Sequence, residues 1–409
     1  MLRHRLFLAA CLVWPFSTHA IVAGNEITQI EYDSEYSYMV SVGAAVQAED
    51  HYCGGTIVAS QWVLTAAHCL VASGSTQEDS QTNPENITQY EVAKPLEVSI
   101  TSGVADLADT EISHLFRVTH VVIHPDYFPT ASATTTAYQN DIALLRVERV
   151  LTGTPVRLVD STRYNELLAL EPLWDANNIQ PNLQVIGWGD GDANEEDPVI
   201  GNSDSRLDEV DVAFYPISNC YSTLEGANDT SLYIASESDE TKLCSLPYDE
   251  VSINDETYGL GACIGDAGGP LTFTGADSNV YQVGIISASP ISNTVCSSAT
   301  IPAWYTNINH YLDWIASYTD DPQPPTEKVI KPLFLTATTT PEPEESPDDT
   351  ITPDEVESDT SANCSGTANV GVGGGTAQLG CDSSSSGGGG SNGLLSLLAL
   401  LFIYRRNRV

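Results

Sequence analysis

From Ile21 to about Tyr318 the chain is built of short apolar runs, and this pattern constrains the fold more than any other feature of the sequence. The runs are rich in β-branched residues and are separated by turn-forming clusters; examples are TIVAS, WVLTAA, DIALLRV, LQVIGWG, YQVGIIS and AWYTNI. Runs of this length and composition are typical of strands. Helical spacing first appears in NINHYLDWIASY, residues 307 to 318. The sequence therefore predicts an all-β domain over residues 21–318 that is closed by one helix.

Charge and cysteine content indicate which classes of partner are excluded and in which cellular compartment the protein folds. The chain carries 55 acidic and 15 basic residues, a net charge of -40. Such a surface repels phosphate backbones, so we expect no nucleic-acid partner and interpret the acidity as a source of solubility. Nine cysteines occur without a CxxC pair or zinc-like spacing, which favours disulfide bonds in an oxidising compartment.

The N-terminus has the features of a secretory signal peptide. Arg3, His4 and Arg5 precede the apolar run LFLAACLV, and the sequence Ser17-Thr18-His19-Ala20 offers small residues near the expected cleavage site. A membrane anchor or a buried first strand is the alternative, but the run is too short to span a bilayer. We expect residues 1–20 to be removed together with Cys11, so that nine minus one, or eight, cysteines remain.

The composition changes abruptly after residue 318. Residues 319–362 are dominated by Asp, Glu, Pro and Thr, which predicts a solvated linker. A segment rich in Cys, Gly and Ser follows at 363–392, and residues 393–409 combine the apolar run LLSLLALLFIY with a basic end. A helix over the twelve residues from Gly393 to Tyr404 is about 18 Å long, short of a hydrocarbon core of about 30 Å, so it spans only marginally.

This tail resembles the GlyGly-CTERM sorting signal of Gram-negative bacteria, which combines glycines, a short apolar helix and arginines. The resemblance implies transient membrane anchoring and cleavage near the glycines by a rhomboid-type protease during secretion. A plain tail anchor is the alternative. By the positive-inside rule the basic end lies on the cytoplasmic side, which predicts a location outside the cell or on its outer surface, reached through the periplasm.

Three segments carry groups suited to peptide-bond chemistry. WVLTAAHCL contains His68, QNDIALLRV contains Asp141, and the turn GDAGGP covers residues 265 to 270. A histidine can take a proton near neutral pH, and a carboxylate can orient it. Together with IVAGN at 21, HPDY at 124, VIGWG at 185 and PAWYTNINHYLDWI at 302, these segments resemble the chymotrypsin/trypsin family of serine peptidases over nearly all of residues 21–318.

The resemblance implies two six-stranded Greek-key barrels with an active site in the cleft between them. His68 matches the general base and Asp141 the carboxylate that orients it. Ser287 matches the residue that supports this carboxylate. The backbone N–H groups of Gly265 and residue 267 match the oxyanion hole.

One departure from the family pattern concerns the nucleophile. The family has serine in GDSGGP, whereas this chain has Ala267. A methyl group has neither a lone pair nor a proton to give up, so the chain as written cannot form an acyl-enzyme.

Activation, disulfide pairing and specificity are also predicted from the resemblance. A freed N-terminal Ile21 would pair with Asp266, and signal peptidase would generate that terminus directly if it cuts before Ile21. The pocket positions match Gly261, Ser289 and Ala303; the absence of a carboxylate at 261 argues against Lys or Arg and favours small or medium apolar side chains. No required cofactor is expected. The expected disulfide pairs are Cys53 with Cys69, Cys220 with Cys244, Cys263 with Cys296, and Cys364 with Cys381.

Three hypotheses remain open on the sequence. The first is an inactive peptidase homologue that binds peptides or proteins through the retained cleft. The second is an active secreted endopeptidase whose serine at position 267 has been altered. The third is a surface or adhesion module that uses the barrels as a scaffold, since fold alone does not fix function.

Overall fold

The computed structural model describes residues 21–22, 24–45, 51–75, 88–189, 205–226, 231–253, 256–290, 298–336 and 370–371. Predicted features at residues 1–20, 296, 364 and 381, and the apolar tail at 393–409, lie outside these ranges. In the described part of the chain no helix is both long and apolar enough to cross a membrane.

Six antiparallel strands form a first closed barrel: β1 Met39–Ala44, β2 His51–Ala59, β3 Trp62–Thr65, β4 Val98–Ser102, β5 Leu115–Ile123 and β6 Ala143–Val147. The order around the sheet is β5-β4-β1-β2-β3-β6, and pairing of β5 with β6 closes it. In β5, Phe116 and Val118 are buried while Arg117 between them is exposed. This alternation, with a period of two, directs one face of the strand into the barrel interior.

A second barrel contains β7 Leu183–Gly187, β8 Asp208–Tyr215, β9 Lys242–Pro247, β10 Pro270–Thr274, β11 Val280–Pro290 and β12 Ala303–Asn307. Its order is β8-β7-β10-β11-β12-β9, and β8 pairs with β9 to close it. When the strands of each barrel are numbered one to six, both barrels show the same cyclic order, 1-2-3-6-5-4. The predicted pair of six-stranded Greek-key barrels is confirmed.

Shorter strands extend or flank the barrels; they are Asn25–Glu26, Val71–Ser75, Thr88–Val92, Glu250–Ile253, Glu256–Gly259, Val329–Ile330 and Val370–Gly371. The α-helices of eight or more residues are α1 Ser161–Leu168, α2 Ile217–Glu225 and α3 Ile308–Thr319. A helical turn at Gln29–Glu31 continues into a π-helical turn at Tyr32–Tyr36. Single 3-10 turns occur at Pro95–Glu97, Leu107–Asp109, Ile112–His114, Glu171–Leu173 and Leu333–Leu335.

Helix α3 follows β12 directly and packs against the barrels. The Asn307 side chain caps it by accepting a hydrogen bond from the Asn309 N–H, which satisfies one of the free donors at a helix start. Ile308, Tyr311 and Ile315 form its buried face. The Tyr311 hydroxyl donates to Asn140 Oδ1 at 2.7 Å, so the closing helix also fixes the chain just before Asp141.

Residues after α3 return to the first barrel, although the composition predicts a linker from residue 319. Val329 and Ile330 pair in parallel with Val121 and Val122 of β5. The ring of Phe334 then packs on aromatic rings of the first barrel and its loops, at Tyr90, Tyr127 and Phe128. The short apolar sequence KVIKPLFL therefore acts as a strap, which we define as residues 328–335, within a region whose average composition is polar.

Two disulfide bonds join pairs of cysteines that the resemblance predicts. Cys53 in β2 is bonded to Cys69, which follows His68, and Cys220 in α2 is bonded to Cys244 in β9. Cys263 is also disulfide-bonded. The bond between Cys53 and Cys69 fixes the chain next to His68 to strand β2.

Candidate active site

His68, Asp141 and Ser287 meet between the two barrels. His68 follows β3 and Asp141 precedes β6 in the first barrel, whereas Ser287 belongs to β11 in the second. The His68 ring nitrogen Nδ1 lies 2.7 Å from Asp141 Oδ2, and the His68 backbone N–H donates to Asp141 Oδ1 at 2.9 Å. The Ser287 hydroxyl donates to Asp141 Oδ2 at 2.5 Å. Three donors therefore hold one carboxylate in place.

The carboxylate of Asp141 is almost completely buried, at 1% exposure. Burial of an ion is costly unless hydrogen bonds compensate for it, and here they do. Thr306 adds a fourth hydrogen bond to the same residue by donating to the Asp141 carbonyl oxygen at 2.8 Å. With Nδ1–H directed at Asp141, the Nε2 atom of His68 carries the lone pair and can accept a proton.

Residue 267 is a fully buried alanine on a rigid loop next to His68. The Gly54 N–H donates to the Ala267 carbonyl oxygen at 2.8 Å. Cys69 Sγ lies 3.7 Å from that oxygen and 4.0 Å from His68 Nε2; because this sulfur is in a disulfide bond, these are contacts without a hydrogen bond. The His68 imidazole and the carbonyl group of Ala267 therefore both lie next to Cys69 Sγ.

The loop before Ala267 needs glycine for its backbone conformation. Gly265 has φ +99°, and a Cβ there would come 2.8 Å from the Cα of Gly189. An L-residue would be strained at this φ, so only glycine keeps the peptide groups of the loop in this orientation. The N–H groups of Gly265 and Ala267 are the donors that the sequence assigns to an oxyanion hole.

Asp266, between Gly265 and Ala267, has no exposed surface. It accepts hydrogen bonds from the Gly189 N–H and the Cys263 N–H, both at 2.8 Å. A Cβ at Gly187 would lie 2.0 Å from Asp266 Oδ1, which shows how closely the β7 backbone packs against this carboxylate.

The first residues that the structure describes, Ile21 and Val22, are also buried. Ile21 and Val22 have no exposed surface, and Val22 forms an antiparallel bridge with Gly261. The nitrogen of Ile21 is a peptide nitrogen in this chain, since Ala20 precedes it. Its ion pair with Asp266 therefore stays a prediction.

His51 is a residue that the sequence patterns did not single out. Its Nδ1 lies 2.7 Å from the Ser41 hydroxyl and its Nε2 lies 3.1 Å from the Gly265 carbonyl oxygen. Since a carbonyl can only accept, Nε2 carries the proton and Nδ1 accepts from Ser41. Complete burial lowers the pKa of His51 to about 4, so a neutral histidine links β2 to the loop before residue 267.

Lys242 is a second buried group that the patterns missed. Its ammonium donates to the carbonyl oxygens of Tyr233 and Ala137 and to the Thr136 hydroxyl. Desolvation lowers the pKa of Lys242 to about 8. This lysine ties the second barrel to the loop that leads into Asp141.

The three predicted pocket positions lie on two barrel strands and on the chain just before the loop that contains Ala267. Gly261 is buried and bridged to Val22, and the backbone of Ala303 pairs with Ser245. Ser289 is described through its backbone, near the end of β11. The specificity that these positions imply stays a prediction.

One group of potential metal ligands lies within the described ranges. Ligand atoms of Cys53, His68 and Cys69 all lie within 4.8 Å of one another. Both sulfurs belong to one disulfide bond and have no thiolate to offer, and metal sites of this type need deprotonated cysteines. The group does not fit a metal ion.

Comparison with known proteins agrees with this geometry. The family model described as Trypsin matches residues 21–315. Melanization protease 1 of Drosophila melanogaster is 26% identical over 316 residues, which cover 72% of this chain and 64% of that protein. Tryptase of Mus musculus is 27% identical over 313 residues, which cover 73% of this chain and 88% of that protein.

Proposed function

The chain belongs to the trypsin family, and on that premise we propose that it is a secreted peptidase homologue that binds extended peptides in its cleft without cleaving them. One observation carries this proposal: the network of His68, Asp141 and Ser287 is complete, while a methyl group stands at position 267. Binding and catalysis separate here because they need different atoms.

The missing step is attack on the peptide carbonyl. His68 Nε2 can accept a proton, but Ala267 has no hydroxyl to supply one, so no covalent intermediate forms. When one member of such a triad is lost, a rate of roughly 10³ to 10⁴ over water remains, supplied by binding and the oxyanion hole. Peptide affinity does not depend on the lost oxygen.

The proposed ligand is a peptide with a small or medium apolar side chain at the pocket. Gly261 offers no carboxylate to pair with Lys or Arg. A buried, unpaired cation costs several kcal/mol, which disfavours basic side chains.

The second hypothesis is an endopeptidase with serine at position 267, and the complete hydrogen-bond network of His68, Asp141 and Ser287 favours it too. Ala267 has no exposed surface and its loop is fixed by backbone hydrogen bonds. A serine at this position would be placed beside His68 by the same loop. The variant Ala267→Ser therefore measures the catalysis that the chain as written lacks.

The proposed location rests on the two ends of the chain. Signal peptidase removes residues 1–20, and a rhomboid-type protease acts near the glycines before residue 393, after transient anchoring by the apolar tail. The mature protein is then released outside the cell or held at the outer surface of a Gram-negative bacterium.

A binding experiment tests the proposal. Fluorescence anisotropy with fluorescein-labelled Ala-Ala-Pro-Val and Ala-Ala-Pro-Arg should show binding of the Val peptide and weaker binding of the Arg peptide to the chain that begins at Ile21. The variant Gly261→Asp is the matched control, because a carboxylate on the pocket floor should reverse this preference. If neither peptide binds the chain or the variant, the scaffold hypothesis replaces the proposal.

A further inference from the structure

A short segment of the C-terminal region pairs with the strand that carries Ser287. Val370 and Gly371 pair in antiparallel fashion with Pro290 and Ser289, at the end of β11. Among the described residues no other strand pairs with Ser289 or Pro290. The segment therefore covers a strand end that the barrel itself leaves without a partner.

This strand end lies beside the candidate active site. Ser289 is two residues after Ser287, which is about 7 Å along a strand at roughly 3.3 Å per residue. Pairing of β11 with β10 ends at Ile285, and pairing with β12 ends at Ala288. A chain that pairs with Ser289 thus lies two residues along β11 from Ser287, whose hydroxyl donates to Asp141.

The sequence of the segment suits this position. Residues 361–381 contain no charged side chain, although 319–360 are strongly acidic and the whole chain carries a charge of -40. In the sequence, Val370 lies within the stretch GTANVGVGGG, in which most residues are small, and valine is of the medium apolar type that the predicted pocket accepts. The 34 residues from 336 to 370 can span up to about 110 Å when extended, so the connection is long enough.

We propose that the end of β11 is the edge at which the cleft binds peptides, and that Val370 and Gly371, here called the cis segment, occupy this edge of their own chain as an added β-strand. Main-chain hydrogen bonds then supply the affinity, as in other cases of strand addition. Because the segment is tethered, its effective concentration is high and an external peptide must displace it. The claim that the cis segment blocks peptide binding rests on the proposed function, whereas the pairing of the cis segment with β11 does not.

The register identifies the residue on which the pairing depends. Pro290 has no N–H, so the pair of Pro290 and Val370 cannot exchange both hydrogen bonds, and the pair of Ser289 and Gly371 is the one that can. Proline at position 371 removes a donor from this pair. Proline at Thr376, five residues further along the chain, removes no donor from this pair and serves as the matched control.

A cross-linking experiment tests the pairing directly. Directly opposed residues of this kind lie about 5.5 Å apart, within the range that a disulfide bond bridges. The double variant Ser289→Cys with Gly371→Cys should form an intramolecular disulfide that peptide mapping by mass spectrometry detects, whereas Ser289→Cys with Thr376→Cys should form less of it. Equal yields in the two variants would overturn the proposal, whatever the peptide measurements show.

A binding experiment tests the blocking. In the full chain, Gly371→Pro should bind fluorescein-labelled Ala-Ala-Pro-Val about tenfold more tightly than the unchanged chain, while Thr376→Pro should not change the affinity. If the cross-link forms and the peptide binds with the same affinity in all three forms, the segment does not block the cleft and the proposal fails. If the cross-link forms and no form binds the peptide, the pairing is supported and the proposed function fails instead.

Discussion

The hydrogen bonds of His51 lead to a prediction about acid stability. Its pKa in the folded protein is about 4, against an ordinary value of 6.5, and burial is the main cause. The unfolded chain therefore binds a proton between these values that the folded chain does not. The stability that neutral His51 contributes is fully present above pH 6.5 and is lost as the pH falls towards 4.

The size of this loss follows from the two pKa values. At pH 4.5 the linkage relation gives about 2.5 kcal/mol relative to pH 7.5. The variant His51→Gln is the comparison, because its amide can still donate to the Gly265 carbonyl and accept from Ser41 but does not titrate. Other groups, including His124, whose pKa burial also lowers to about 4, titrate equally in both proteins and cancel.

Urea unfolding followed by tryptophan fluorescence at pH 7.5 and 4.5 measures the effect. The free energy of unfolding should fall about 2.5 kcal/mol further in the unchanged chain than in His51→Gln. Parallel pH dependence in the two proteins would refute the reasoning, because it would mean that His51 is not held neutral between Ser41 and Gly265.

Three further changes should have measurable effects. Ser287→Ala removes a buried hydrogen bond to the Asp141 carboxylate and should lower the free energy of unfolding at pH 7 by about 2 kcal/mol; a change below 0.5 kcal/mol would mean that the bond contributes little. Replacing both Cys220 and Cys244 by alanine removes a disulfide bond with a sequence separation of 24 residues and should lower the free energy of unfolding by about 3.5 kcal/mol. The same urea method measures this change, with Ser218→Ala as an exposed control that should change nothing. Phe334→Ala should cost about 1 to 2 kcal/mol because it removes the aromatic contacts of the strap, and unchanged stability would show that residues 328–335 are not part of the folded unit.

The all-β domain was predictable from local signals, whereas the two barrels and the position of the candidate site were implied by the resemblance to a known family. Short β-branched runs mark the strands, and His68, Asp141 and residue 267 each lie in a recognisable string. The closing helix was predictable for the same reason, since Ile308, Tyr311 and Ile315 recur at helical spacing.

The supporting residues were not predictable because their partners are distant in sequence. His51 contacts Gly265, which is 214 positions away. No sequence motif around either residue predicts this contact. Lys242 in β9 resembles an ordinary surface lysine until the fold surrounds it with carbonyl groups.

The start of the linker could not be located from the average composition of residues 319–362. Acidic and proline-rich residues on both sides of KVIKPLFL set the composition of residues 319–362, yet Val329, Ile330 and Phe334 pack on the first barrel. A six-to-eight-residue apolar run can pair with an existing strand even when its surroundings could not fold alone.

The most direct test of the central claim is labelling with a fluorophosphonate, which reacts with an activated serine. Three proteins that begin at Ile21 should be compared: the chain as written, Ala267→Ser, and Ala267→Ser combined with Asp141→Asn, which disturbs the orientation of His68. The account predicts rapid labelling of Ala267→Ser alone. If Ala267→Ser folds but does not label, the site lacks more than one oxygen atom, and the claim that a complete catalytic network surrounds Ala267 is contradicted.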